Sequence, residues 1–158
     1  MECAPTTDDL FDTKTHPLSQ PESPDYCDAA SQAWSALAAS NCAALAGLLK
    51  PETVAAMRIE AEHAVPQATY TKAWLNPYFS TPPSDVPESH PLWRVVLRCH
   101  GMIRADRFSP DGVIWSVFRN GDPTRFVAAC LGYEKLHTYR DPYGCVNVNV
   151  QEPGHAFS

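Results

Sequence analysis

The chain has 158 residues, a formal net charge of −6 and an isoelectric point near 5.4. This length fits one domain, which would bury about 70% of the surface that its unfolded chain exposes. An acidic chain with sparse basic clusters has no global positive field for nucleic acid. Its apolar stretches are shorter than the ~18–20 residues of a membrane helix. We therefore expect neither a nucleic-acid partner nor a membrane partner.

The six cysteines are scattered, with neither a CxxC pair nor zinc-finger spacing among them. This usage favours reduced thiols over disulfides. The acidic N-terminus has no apolar segment of the kind that marks a secretory signal. We therefore expect a cytoplasmic or nuclear protein that is not secreted. No internal repeat or heptad pattern predicts a particular oligomeric state.

The first elements follow from composition and helical spacing. Residues 1–25 are polar, acidic and proline-bearing, which predicts a disordered leader. The remaining residues, 26–158, are expected to form the domain. Apolar residues at helical spacing predict a helix over about 26–40, which ends at Asn41.

A second helix is predicted after a short apolar run. Residues 42–49 are expected to form a short strand or an extended segment. Pro51 at a first helical position and Glu52 in the first turn then predict a helix to about Ala64.

Residues 66–91 contain many prolines and irregularly spaced aromatic residues, which predicts a long loop. Its aromatic side chains could form a lid over a site or pack as ordinary core and coil: Tyr70, Trp74, Tyr78 and Phe79. Residues 92–99 are predicted to form a strand.

The next stretch predicts two short helices. The first begins at the Ser109 to Gly112 turn signal and runs to about Arg119. The second begins at Asp122 and ends before Gly132, which occupies the position that favours glycine after a helix.

The C-terminal part contains the sheet signals. Residues 133–139 alternate weakly, as a strand does, and 141–144 form a turn signal. Residues 145–151 are the clearest strand of the chain, with three valines that alternate with polar residues.

Three carboxamides lie at alternate positions of that strand: Asn147, Asn149 and Gln151. Asparagine is disfavoured in strands, so its repeated use needs a reason. One explanation is a pocket for a polar ligand, because amides both donate and accept hydrogen bonds. The other is an edge strand whose polar face is simply hydrated, and composition leaves both open.

Motifs of known catalytic chemistry are missing from the sequence. None of the GxSxG, GxxxxGK[ST], HExxH or GxGxxG patterns occurs. The six histidines are scattered without the spacing that brings metal ligands together on a helix, and none forms an HxD or HxE pair. We therefore predict no catalytic residue and no metal ligand within this chain.

The segment from Tyr139 to Ser158 resembles the stretch that leads into the HxD iron motif of iron(II)- and 2-oxoglutarate-dependent dioxygenases. In that family a strand of the form N-x-polar-x-P-G precedes the motif, and AlkB-type members carry N-x-Y-x-P-G. The corresponding residues here are Asn149-Val-Gln-Glu-Pro-Gly154. Upstream, 41–49 followed by Pro51-Glu resembles the "G-x-x-x-L-x-G-L-L…P-E" pattern that leads into the first helix of these enzymes. The likeness covers roughly 26–158 and is to members near the amino-acid-hydroxylating and halogenating enzymes.

The resemblance implies an α+β fold, with N-terminal helices and the first strands of a double-stranded β-helix, or jelly roll, that is incomplete in this chain. It implies that Asn149 hydrogen-bonds 2-oxoglutarate and that Asn147 lines the same pocket. Gln151 stands where AlkB-type enzymes have tyrosine, and Pro153-Gly154 would turn the chain toward the metal.

The resemblance also implies that the iron ligands follow Ser158. Fe(II) in such enzymes is held by two histidines and a carboxylate. His155 is not expected to substitute, because no carboxylate follows it two residues later. Fe(II), 2-oxoglutarate and a small or amino-acid-like substrate are thus implied for the full-length family. The chain by itself is expected to be an inactive N-terminal fragment that binds no cofactor. The alternatives are a non-catalytic binding domain derived from that fold and a plain α+β domain with an accidental likeness.

Overall fold

The computed structural model describes residues 4–76, 78 and 84–151. They form a mixture of α-helices and an antiparallel sheet, which confirms the α+β class. The chain divides into two compact units. Unit 1 comprises Met1–Glu62 and Phe108–Arg140, and unit 2 comprises His63–Arg107 and Asp141–Ser158.

Five α-helices occur in the described part of the chain. They are α1 (Thr7–Leu10), α2 (Pro24–Ser40), α3 (Pro51–Ala64), α4 (Val113–Arg119) and α5 (Gly121–Cys130). None of the helices formed by these residues has the length and apolar character needed to cross a bilayer. Four of them confirm the predicted helices to within four residues at each end.

The helix ends follow from local chemistry. The Ser23 side chain accepts a hydrogen bond from the Tyr26 backbone N–H, and Pro24 begins α2. Asn41 ends that helix in the left-handed region, with φ 57°. Gly132 follows α5 with φ 70°, a conformation that side chains rarely adopt.

The core of unit 1 lies between α2, α5 and the N-terminal segment. Its buried members are Leu10, Phe11, Leu18, Tyr26, Ala30, Ala33, Phe126 and Cys130. The rings of Tyr26 and Phe126 meet edge to face, with centroids 5.2 Å apart. Burial raises the pKa of the Cys130 thiol.

The N-terminal segment differs from its prediction as a disordered leader. Leu10, Phe11 and Leu18 are buried, and Phe11 forms a β-bridge with Leu49. The Thr7 hydroxyl donates to the Asp122 carboxylate at 2.5 Å. These contacts order the segment although its composition is polar, because its few apolar side chains pack into the core of unit 1.

A side chain from α3 caps the start of α4. The Glu60 Oε2 atom accepts a hydrogen bond from the Ile114 backbone N–H at 3.0 Å. Gly112, the residue before α4, has no side chain to do so. The carboxylate occupies the space where a side chain at position 112 would begin.

Unit 2 contains a three-stranded antiparallel sheet in the order β1-β2-β3. The strands are β1 (Thr69–Leu75), β2 (Val96–Arg104) and β3 (Asn147–Val150). Short 3-10 helices flank the first two strands at Val65–Gln67, Pro91–Trp93 and Ala105–Arg107.

Several strand predictions were wrong. The predicted loop 66–91 contains β1, and β2 starts at Val96 rather than at residue 92. Residues 133–139 are irregular and largely exposed. Residues 42–49, predicted as a short strand or an extended segment, contain a turn and a single bridge at Leu49. Whether such a segment forms a strand depends on pairing with a neighbouring strand. Residues 133–139, which alternate only weakly, have no partner strand among the described residues.

Candidate functional site

One face of the sheet in unit 2, called the polar face below, contains the asparagines that the sequence singled out, with Met102 beside Asn149. Pairing sets Asn147 opposite Arg104 and Asn149 opposite Met102. Residues opposite each other in an antiparallel ladder carry their side chains on the same face. Both asparagines are exposed, and Gln151, which directly follows β3, is exposed too. The structure thus brings the two asparagines to one open face, whereas Gln151 lies past the end of the strand.

On the opposite face of the sheet, the β2 and β3 residues are apolar and fix the direction of the asparagines. Val148 lies opposite Ile103, which is 0% exposed, and Val150 lies opposite Gly101. The Tyr70 ring covers Gly101 so closely that a Cβ there would lie 2.8 Å from Cε1. Glycine in a strand commonly marks such a close approach.

Three basic side chains of β2 share the polar face with the asparagines. They are Arg98, His100 and Arg104, which alternate with the buried residues Cys99, Gly101 and Ile103. The Arg98 Nε and His100 Nδ1 atoms are buried. Basic groups that are partly removed from water interact more strongly with an anion than fully solvated ones.

The Arg104 guanidinium is fixed by two neighbours. It donates to both carboxylate oxygens of Asp106, at 3.1 and 2.9 Å, and lies 4.7 Å from the centre of the Tyr143 ring. The hydrogen bond from Arg104 lowers the pKa of Asp106, so this carboxylate stays ionised and keeps the guanidinium in place.

The first strand adds hydroxyl groups to the same face. Thr69 lies opposite Met102, and Thr71 lies opposite His100. Asn149 is diagonal to His100 and Arg104 across the β2–β3 ladder. Diagonal positions in a sheet lie about 7–8 Å apart, so one small ligand could contact several of these side chains.

The chemistry of this face suits a carboxylate-bearing molecule. Amide N–H groups, hydroxyls and guanidinium groups all donate hydrogen bonds to carboxylate oxygens. Within the described ranges no three histidine, cysteine, aspartate or glutamate side chains lie close enough to hold a metal ion. The described residues therefore do not by themselves fit an iron centre.

Sequence reasoning did not find the basic part of this face. No pattern within a single strand shows that the arginines of β2 lie beside Asn147 and Asn149. Only the β2–β3 register brings them together. Alternation of basic residues at 98, 100 and 104 with apolar ones is the one signal that the sequence contained.

Other residues considered in the sequence lie elsewhere. His63 on α3 and His137 in an irregular segment are both exposed. Of the proposed lid aromatics, Tyr70 and Trp74 belong to β1, and Tyr78 is exposed. Phe79, Pro153, Gly154 and His155 lie outside the described residues.

The geometry of the polar face therefore carries the functional interpretation. The three strands, their register and the exposure of the asparagines are the observations on which it depends. No protein-family model, no curated protein and no solved structure matches this chain.

Proposed function

We propose that this chain forms part of an iron(II)- and 2-oxoglutarate-dependent oxygenase of the hydroxylase type that acts on a small or amino-acid-like molecule. In this proposal the three strands are the first strands of a double-stranded β-helix, and their polar face contacts 2-oxoglutarate. The sequence resemblance around Asn149 and Gly154 motivates it. The single observation that supports it best is the pair of exposed asparagines, Asn147 and Asn149, on one face with basic side chains.

Each polar residue has a defined part in the proposal. Asn149 donates through its Nδ2 atom to an oxygen of 2-oxoglutarate, and Asn147 lines the same site two residues away. Arg104 offers its remaining N–H groups to this face, while its pair with Asp106 balances its charge and keeps it in place. Gln151 occupies the tyrosine position of AlkB-type enzymes and follows β3 directly.

The polar face fits 2-oxoglutarate because its donors match a dicarboxylate, whereas the described residues do not fit iron. The proposal therefore assigns binding and orientation of 2-oxoglutarate to this face and assigns no reaction step to it. Since few contacts hold the ligand, we expect no 2-oxoglutarate to stay bound to the isolated chain, and only weak, rapidly exchanging binding with a dissociation constant of about a millimolar.

A titration with 2-oxoglutarate tests the proposal. Backbone and side-chain amide signals of the ¹⁵N-labelled full chain are followed by NMR as 2-oxoglutarate is added. Signals of Asn147 and Asn149 should shift in a saturable way. Asn149→Ala should weaken binding roughly tenfold or more, because a hydrogen bond to a charged group contributes about 1.5–3 kcal/mol. Asn149→Asp, which keeps the shape but adds a negative charge, should abolish it.

A matched control separates the role of the site from a general effect of charge. Gln32→Glu makes the same chemical change on the exposed surface of α2, in unit 1, and should leave 2-oxoglutarate binding unchanged. Binding that is absent at tens of millimolar, or that is equal in the wild type and Asn149→Asp, would contradict the proposal.

The gene provides a second test that does not depend on affinity. The resemblance predicts that codons for an HxD pair follow the codon for Ser158 within about ten residues, since that pair supplies two of the three iron ligands. If 2-oxoglutarate binds but no such pair is encoded, the non-catalytic binding domain becomes the better interpretation.

A further inference from the structure

A cavity of about 490 Å³ lies in unit 1, where α4 ends and α5 begins. Its wall includes Arg119 at the end of α4, Arg125 in α5, and Glu134 and Lys135 in the irregular segment after α5. The volume is large enough for a small organic molecule. The cavity involves none of the sheet residues discussed above.

The charge of this cavity is opposite to that of the chain. Three cationic side chains, Arg119, Arg125 and Lys135, line it together with the Glu134 carboxylate. The Asp122 carboxylate pairs with Arg125, so the formal balance around the cavity is one positive charge. The whole chain has a formal net charge of −6. A concentration of positive charge in a concave site of an acidic protein attracts anions locally.

The two arginines are held in position by neighbouring groups, and each guanidinium keeps N–H groups that these contacts do not use. Arg119 donates through Nη1 to the Pro110 carbonyl at 2.9 Å, and its guanidinium lies 4.3 Å from the centre of the Trp115 ring. Arg125 contacts the Asp122 carboxylate at 3.1 Å. A guanidinium has five N–H groups, of which the Arg119 hydrogen bond to Pro110 uses one and the ring contact uses none. The arginines are therefore ordered before any ligand arrives.

Neutral donors complete the cavity. The Asn120 Oδ1 atom accepts from the Asp122 backbone N–H at 3.1 Å, which directs the other amide atom, Nδ2, away from the helix end. Thr124 adds a hydroxyl in the first turn of α5. The positive end of this ten-residue helix adds to the same field.

We propose that this cavity binds the oxyanion group, phosphate or carboxylate, of a small organic molecule. Arg119 and Arg125 provide ordered donors, Lys135 provides an adjustable charge, and Asn120 and Thr124 provide neutral donors. This site is independent of the 2-oxoglutarate proposal because it lies in unit 1 and uses other residues.

Titration of the full chain with inorganic phosphate, followed by NMR at constant ionic strength, tests the inference. Amide signals of Gly121 and Thr124 should shift in a saturable way, and an acetate titration shows whether carboxylates occupy the same site. Saturation by phosphate alone identifies phosphate as the ligand group, and saturation by both identifies oxyanions in general. No saturation by either would overturn the inference.

Variants of lysines keep the test free of folding effects. Lys135 is exposed, so Lys135→Ala should leave the fold intact and weaken phosphate binding roughly fivefold, as expected for one charge at about 4 Å in water. Lys14→Ala removes an exposed lysine of the same unit away from the cavity and should have no effect. Equal effects of the two variants would show that phosphate responds only to total charge, and the proposed site would be wrong.

Discussion

The close contact between the Glu60 carboxylate and Gly112 leads to a prediction for Gly112→Ala. This substitution should destabilise the protein when Glu60 is present but not when Glu60 is replaced by alanine. A Cβ added at Gly112 would lie 2.0 Å from Glu60 Oε1 and 2.6 Å from its Cδ, so the carboxylate has to move. That movement breaks the 3.0 Å hydrogen bond from the Ile114 backbone N–H, which caps α4. Hydrogen bonds to charged groups contribute about 1.5–3 kcal/mol, and a lost cap costs about 1 kcal/mol.

The backbone at Gly112 itself accepts alanine, with φ −74° and ψ 165°. Without the clash, Gly→Ala at such a position stabilises by about 0.4–1 kcal/mol through the unfolded state. We therefore expect Gly112→Ala to lower the free energy of unfolding by roughly 1–2 kcal/mol in the wild type. In a Glu60→Ala background the same change should be neutral or stabilising.

Urea unfolding, followed by circular dichroism, measures all four proteins of this double-mutant cycle. Gly121→Ala is the matched control, because a Cβ there meets nothing within 4 Å. If Gly112→Ala destabilises equally with and without Glu60, the carboxylate is not the cause of the clash.

Two further predictions concern the N-terminal segment and acid stability. Leu18 is 0% exposed, so Leu18→Ala should lower the free energy of unfolding by about 2–5 kcal/mol in urea titrations, whereas a disordered leader would give a value near zero. Hydrogen bonds to Asp9 from Thr6, to Asp12 from Thr15 and to Asp106 from Arg104 lower the pKa of each carboxyl in the folded state. A carboxyl whose pKa is lower in the folded than in the unfolded protein stabilises the fold above its unfolded pKa. That stabilisation is lost as the pH falls through the folded pKa, so urea midpoints should decline below about pH 4. A midpoint that rises between pH 5 and pH 3 would contradict this assignment.

Local chemistry made the helices predictable. Pro51 and Glu52 at the start of α3, and Gly132 after α5, encode helix ends within a few residues of sequence. The valines of β3 likewise predicted which face its asparagines occupy. These signals depend only on residues that are close together in the sequence, so the sequence alone is enough to predict these features.

The features that escaped prediction depend on residues far apart in sequence. β1 has exposed side chains on both faces at most positions, so no alternation marks it, and pairing with β2 alone defines it. Thr7 and Asp122 are 115 positions apart, and Glu60 and Ile114 are 54 apart. The basic side chains beside Asn147 and Asn149 likewise become neighbours only through the sheet register.

Unit 1 is formed by two separate stretches of the chain, and this affects how it folds during synthesis. Leu10, Phe11 and Leu18 are synthesised early, but Phe126, their partner in the core, emerges from the ribosome more than a hundred residues later. At about 5–20 residues per second, this delay is on the order of ten seconds. During that interval the apolar side chains of the N-terminal segment can pack against α2 but lack the part of their native cover that α5 supplies.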